Sequence, residues 1–237
     1  MKRSLVLLIT ALCASTVSAS SLWDNAVELY RSYGDLVPGR MDIRFEQYNR
    51  RDELVSTDAS AIEIFLDESG EIASRVIKAE RNGKDVTDER RDDPSSGAPP
   101  FGGPGDGESD NVFAGLARSP FDPAEQANVT ITRVGPPERV AGVTAQPFEF
   151  EHRTSSRAVN RGTAWLAAGT GEPVRLVLTV DPLPRFVSDF VMLQHYARDE
   201  SDRWVLRTLE FDGAGHLLFL HRRIESRLIF SEYFRSE

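Results

Sequence analysis

Residues 22–48 read LWDNAVELYRSYGDLVPGRMDIRFEQY, and the hydrophobic period changes partway along them. Leu22, Ala26, Leu29, Tyr30 and Tyr33 recur at helical spacing with Asp24, Glu28 and Arg31 opposite, which predicts an amphipathic helix over Leu22 to Tyr33. Gly34 and Pro38 end it. Met41, Ile43 and Phe45 then alternate with Asp42, Arg44 and Glu46, the period of a half-buried strand over Met41 to Tyr48. No second helix of that quality follows, whereas the alternation continues to the end of the chain.

Ile62, Ile64 and Leu66 extend the pattern, and Arg81-Asn82-Gly83-Lys84 predicts a tight hairpin because Asn and Gly tolerate positive φ. Further strands are expected at Val129 to Val134, Ala145 to Glu151, Gly162 to Leu166, Val174 to Val180, Phe190 to Ala197, Trp204 to Phe211, Leu217 to His221 and Arg227 to Phe234. Turns are expected at Gly135-Pro136-Pro137, Gly169 to Glu172 and Asp212-Gly213-Ala214-Gly215. The predicted fold is mainly β (α+β). It is a long antiparallel meander forming a curved sheet or incomplete barrel, with the N-terminal helix and a short mid-chain helix between Val112 and Pro123. Phe113, Leu116 and Phe121 would pack that helix inward. Residues 92–110 are Pro, Gly, Ser and Asp around a single aromatic, Phe101, too little apolar area to offset ordering, so a mobile loop is expected within one domain over 20–237.

Upstream of the helix, Lys2 and Arg3 precede an apolar run from Leu5 to Ala14, and Val17, Ser18 and Ala19 supply small residues before Ser20. This pattern predicts a secretory signal peptide over 1–19, with a run about half the roughly 20 residues that span a bilayer. The mature chain is then expected in the periplasm, or outside the cell, with no integral membrane segment after cleavage. Cys13, the one cysteine, lies in the leader behind Leu12, where a lipoprotein would carry a small residue. The mature chain therefore has neither a disulfide nor a thiolate to use. With 28 Lys and Arg against 37 Asp and Glu, the net charge of −9 argues against nucleic acid as a partner.

Catalytic patterns are absent. There is no Gly-x-Ser-x-Gly elbow, phosphate loop or His-Glu-x-x-His helix. His216 and His221, five apart, are expected on opposite strand faces, which does not suit a metal site, and Glu149 and Glu151 read as a solvated pair. No enzyme activity, metal or cofactor is expected. Val174, Leu176 and Leu178 share one face with Val177 on the other, and Leu217 to Leu220 is apolar on both. Either packing covers the second face, or it lines a cavity. Pro182 and Pro184 interrupt ladder pairing and place Leu183 and Phe186 at a rim. The candidate ligand-lining residues are Phe45, Trp165, Leu183, Phe186, Phe190 and Met192. Arg222, Arg223 and Arg227 form a basic patch suited to a lipid head group, an acidic partner or surface carboxylates.

The helix at Leu22 to Tyr33 leading into Met41 to Tyr48 resembles the periplasmic lipoprotein-carrier (LolA-like) superfamily of exported β-rich proteins. The hairpin at Asn82-Gly83, the pair Gly162-Thr163-Ala164-Trp165-Leu166 and Pro173-Val174-Arg175-Leu176, and Phe230-Ser231-Glu232-Tyr233 also carry the resemblance. It implies an incomplete barrel whose concave apolar face receives acyl chains under a helical lid. The chain lacks the superfamily's early Pro-Asn-aromatic segment. The expected function is an exported, non-catalytic protein that binds or carries an acyl chain, lipid or lipoprotein. The alternative is an envelope structural or regulatory protein-interaction module of the same fold.

Overall fold

The computed structural model describes residues 19–91, 118–217 and 220–236. Residues 1–18 of the predicted signal peptide, the predicted loop at 92–110, and Phe113 and Leu116 lie outside them. Helix α1 (Ala19–Tyr33) begins before the predicted start and stops where predicted. Gly34 follows it, where a Cβ would sit 2.7 Å from the Tyr30 carbonyl oxygen, so the turn that ends the helix takes glycine.

The strands are β1 (Leu36–Val37), β2 (Arg40–Tyr48), β3 (Leu54–Leu66), β4 (Ile72–Arg81), β5 (Lys84–Asp85), β6 (Val129–Val134), β7 (Glu138–Val140), β8 (Val143–Arg153), β9 (Val159–Ala167), β10 (Pro173–Asp181), β11 (Val187–Arg198), β12 (Trp204–Leu217), β13 (Leu220–Ser231) and β14 (Phe234–Arg235). Helix α2 (Thr87–Arg91) follows β5, and a 3-10 turn, Pro123–Asn128, precedes β6. These short helical pieces lie on either side of the predicted mid-chain helix. The turn at Asn82 and Gly83 has positive φ at both residues, as the hairpin signal requires.

Twelve strands form one curved, open antiparallel sheet in the order β5-β4-β3-β2-β13-β12-β11-β10-β9-β8-β6, with β7 also on β8. The chain starts in mid-sheet, lays β2 to β5 out to one edge, and returns from the other edge until β13 pairs with β2. A separate β1-β14 pair and the Arg235–Asp35 ion pair at 2.5 Å tie the two ends of the fold together.

Period two sorts side chains onto an inner face, where α1 packs, and an outer one. One inner row reads Arg81, Asp58, Phe45, Ser226, Phe211, Met192, Leu178, Gly162, Phe150, Ile131. Trp23 of α1 seats on one end of this face, with ring centroids 5.1 Å from Phe121, 5.8 Å from Phe148 and 5.7 Å from Phe150. Its Nε1 donates to Gln126 Oε1 at 3.0 Å, which clamps the 3-10 turn to the helix. Gly171, at φ +76°, lets the β9–β10 turn pass under α1, since a Cβ there would meet the Leu22 oxygen at 2.6 Å.

Four expectations are corrected. The segment Asp212 to Gly215 is not a turn but the middle of β12, paired on both sides. Gly215 is glycine there because the chain entering β11 crosses closely: a Cβ on it would lie 2.5 Å from the Phe186 oxygen. The strand expected at Leu217 to His221 is instead the β12–β13 hairpin end, Leu217 opposite Leu220, and the side chains of 217–220 lie outside the description. His216 and His221 are direct cross-strand partners and so share a face, because the chain reverses between them. Val174 does not share the environment of Leu176 and Leu178. A register irregularity between Pro173 and Arg175 sends it into a small second cluster with Val140, Ala145 and Ala167.

Candidate functional site

The inner face is covered unevenly. Trp23, Phe121, Phe148 and Phe150 fill the space beneath the first turns of α1, and all four are buried. Beneath the last turn the elements part and leave a pocket of about 300 Å³. Tyr30 and Tyr33 of α1 form one wall and Gln194 and Tyr196 of β11 another, and Trp204, Leu206, Phe230 and Tyr233 are among the residues that complete it. The strand alternation places Gln194, Tyr196 and Phe230 on the inner face, while helical spacing brings Tyr30 and Tyr33 over them.

The ring faces and hydroxyls of this pocket are ordered. Tyr196 stacks on Trp204 with centroids 4.5 Å apart and planes 9° apart, and Trp204 Nε1 donates to the Pro173 carbonyl at 2.9 Å. Tyr196 donates its hydroxyl to Gln194 Oε1, and Tyr233 donates to the Leu206 carbonyl. Burial raises both phenols well above their ordinary value, and burial with the nearby Asp122 carboxylate raises Tyr30. All three stay protonated across the neutral range, and Tyr196 and Tyr233 act as donors.

From this pocket an apolar track continues along the inner face through Leu209, Met192, Phe211 and Phe190, with the Phe190 and Phe211 rings 6.0 Å apart. Ser226 lies in the same row, buried, its Oγ without a hydrogen-bond partner among the described residues. Beyond Phe45 the row turns charged, where Arg81 and Arg90 hold Asp58 at 3.1 and 3.4 Å.

Of the residues singled out from sequence, Phe190 and Met192 are buried on the track and Leu183 packs against the same core. Phe45, half-buried, shares their face two strands from β12. Phe186 stands at the rim, 51 % exposed, with the Arg185 guanidinium 5.6 Å from its ring centre. Trp165 is not brought to them. It faces outward under the Arg175 guanidinium, 4.2 Å from the ring centre, and donates to Glu138. Sequence reading missed Tyr30, Tyr33, Gln194, Tyr196 and Tyr233 as a group. Only the placement of Tyr30 and Tyr33 on the apolar side of the helix pointed toward them.

The outer face is a field of ion pairs. Arg223 holds Asp212 at 2.7 Å and Glu225 at 2.6 Å, and Arg227 reaches Glu210 at 3.4 Å, so these two members of the basic patch are paired with carboxylates, while Arg222, of the opposite alternation on β13, donates to the His221 carbonyl. Glu149 and Glu151 pair with Arg133 and Arg161 at 3.3 and 2.9 Å. Among the described residues no cluster of three or more His, Cys, Asp and Glu could hold a metal ion, and no helix is long and apolar enough to cross a membrane.

No family model and no curated protein matches the chain. Solved structures do. A putative outer membrane lipoprotein-sorting protein domain from Vibrio parahaemolyticus matches at TM-score 0.41 and 10 % identity, over 90 % of this chain and 93 % of that one. A DUF1329 family protein from Desulfovibrio piger matches at TM-score 0.39 and 9 % identity, over 91 % and 92 %. The LolA superfamily protein NE2245 from Nitrosomonas europaea matches at TM-score 0.34 and 10 % identity, over 92 % and 93 %. The superfamily that the sequence resembles is thus among the structures found.

Proposed function

We propose that this protein is an exported, non-catalytic binding protein that holds an apolar ligand, such as an acyl chain, a lipid or a lipoprotein, against the inner face of its open sheet in the periplasm. The observation that carries this reading is the pocket between the end of α1 and strands β11 to β13. Its volume of about 300 Å³ is at the lower end of ligand sites, and its walls combine aromatic rings with a few inward polar groups. Next to the pocket the inner face carries the apolar row of Met192 and Phe190, packed in the core, with Phe45 farther along, Leu183 beside it and Phe186 at the rim; a longer chain would be accommodated by displacing this packing. Trp165 has no part in it.

Native mass spectrometry of protein purified from the periplasm without detergent, followed by organic extraction, tests the reading. A stoichiometric acylated species is expected. A bare mass that stays unchanged after incubation with lipid overturns it.

A second reading, an envelope protein-interaction module, draws on the outer face. There a groove of about 580 Å³ runs between Val191, Leu193 and the charged residues Arg44, Glu46, Glu210, Asp212, Glu225 and Arg227. An extended segment of a partner would fit it. Capture from envelope extract that is lost in Val191→Asp, with ligand retention unchanged, would favour this module over the carrier.

A further inference from the structure

We infer that the pocket selects uncharged acyl ligands bearing a carbonyl, esters or amides over free carboxylates and plain hydrocarbon, and that Gln194, oriented by Tyr196, is the residue that reads the carbonyl. This inference rests on the binding reading above and names the chemistry of the same site.

Gln194 lies on the inner face of β11, partly buried, and its Oε1 accepts the Tyr196 hydrogen. The Tyr196 hydroxyl donates to that oxygen, which puts the amide nitrogen at the other end of the group. The other end, Nε2, is left with Met192 Sδ at 3.9 Å, a weak acceptor. Gln194 lines the pocket, and among the described residues its amide nitrogen, with two hydrogens, has only this thioether as an acceptor. A hydrocarbon laid over it would take its water away and return nothing, whereas a carbonyl oxygen would accept from it.

Charge separates esters from acids. Among the described residues that line the pocket there is no Lys, Arg or His. The charged group that acts on the Tyr30 wall is Asp122, which is negative. Arg203 and Arg207 act at the Tyr233 end, but Arg203 is held by Asp199 at 2.7 Å and by the Tyr233 carbonyl at 2.6 Å, and neither lines the pocket. A carboxylate entering here loses its hydration, meets no cation among the described lining residues and, at the Tyr30 wall, approaches the like charge of Asp122. A neutral ester meets none of these costs.

The test uses the delipidated mature chain at pH 8 and three twelve-carbon probes: monododecanoylglycerol, its 1-O-dodecyl ether analogue, which lacks the carbonyl, and dodecanoate. Titration calorimetry should give the ester about tenfold tighter binding than either of the others, the value of one ordinary hydrogen bond. Gln194→Leu should bring the ester down to the ether's affinity and leave the ether unchanged. Asp122→Asn should narrow the gap between ester and dodecanoate, and the unfolding temperature checks that both variants fold. The wild-type comparison decides the matter even if a variant does not fold. Equal or tighter binding of dodecanoate or of the ether overturns the inference and leaves the binding reading standing. Failure of all three probes overturns both.

Discussion

Two aromatic clusters sit under the same helix, and they differ in what their polar atoms and ring faces touch. Around Trp23 the described ring neighbours Phe121, Phe148 and Phe150 are all buried, and the one polar atom, Nε1, is matched to Gln126. Around Tyr196 the ring of Trp204 stacks on one face, and among the described residues the Gln194 amide nitrogen has only the Met192 thioether as an acceptor. Aromatic content therefore does not separate core from binding wall. Whether packing and hydrogen bonding are complete does, because an interior reaches close packing and leaves few polar groups unpaired.

The contrast breaks most decisively at Trp23. Trp23→Ala removes the ring that joins α1 to Phe121, Phe148 and Phe150, and a loss of about 3–5 kcal/mol is expected in denaturant unfolding. A loss below about 1 kcal/mol would mean that the filled cluster is not what seats the helix.

The same end of the sheet carries a pH signature. Glu125 on the 3-10 turn bonds buried His152 at 3.1 Å, and this bond, together with Asn128 and Arg118, holds its carboxyl below the usual 4.5 despite desolvation. A carboxyl with a lowered folded value stabilises the fold above its ordinary pKa, and that share is lost as the pH falls through the lowered value. Acid unfolding followed by circular dichroism should thus show Glu125→Gln less stable by about 1–2 kcal/mol at pH 7 and nearly equal to wild type well below pH 4. A constant difference at all pH values would remove the carboxylate from the explanation.

At the other cluster, Tyr196→Phe keeps the stacked ring and deletes only the hydroxyl. We expect about 1 kcal/mol or less in stability, with a fivefold to tenfold loss of ester binding as Gln194 loses its orientation. Unchanged ester binding would show that the amide needs no support. The smallest effect belongs to the rim. Phe186→Ser, at a half-exposed ring, should shift stability by no more than about 0.5 kcal/mol and weaken ligand entry more than retention. Loss of the fold would make Phe186 part of the core after all.

How far the sequence reaches follows from the range of each signal. The end of α1, strand β6 and the Asn82-Gly83 hairpin were legible because capping, alternation and turn chemistry act within a few residues. Asp212 to Gly215 misled because a glycine required by a neighbouring strand looks, locally, like a glycine required by a turn. Val174 misled because an irregularity in register is invisible to a strict period of two. The sites follow the same division. Phe190 and Met192 shared a face by alternation, whereas Trp165, equally apolar in sequence, went to the other side with Arg175.

By itself the sequence determined a mainly β chain with one amphipathic helix, an acidic surface and no catalytic motif, since these depend on composition and local period. Only the tertiary structure decided that β13 pairs with β2 to join the two halves, that α1 fills one end of the inner face and leaves a pocket at the other, and that Tyr30, Gln194, Tyr196 and Tyr233 meet there. Those residues lie up to two hundred positions apart. Their meeting depends on sheet order and on where the helix comes to rest, which no local pattern encodes.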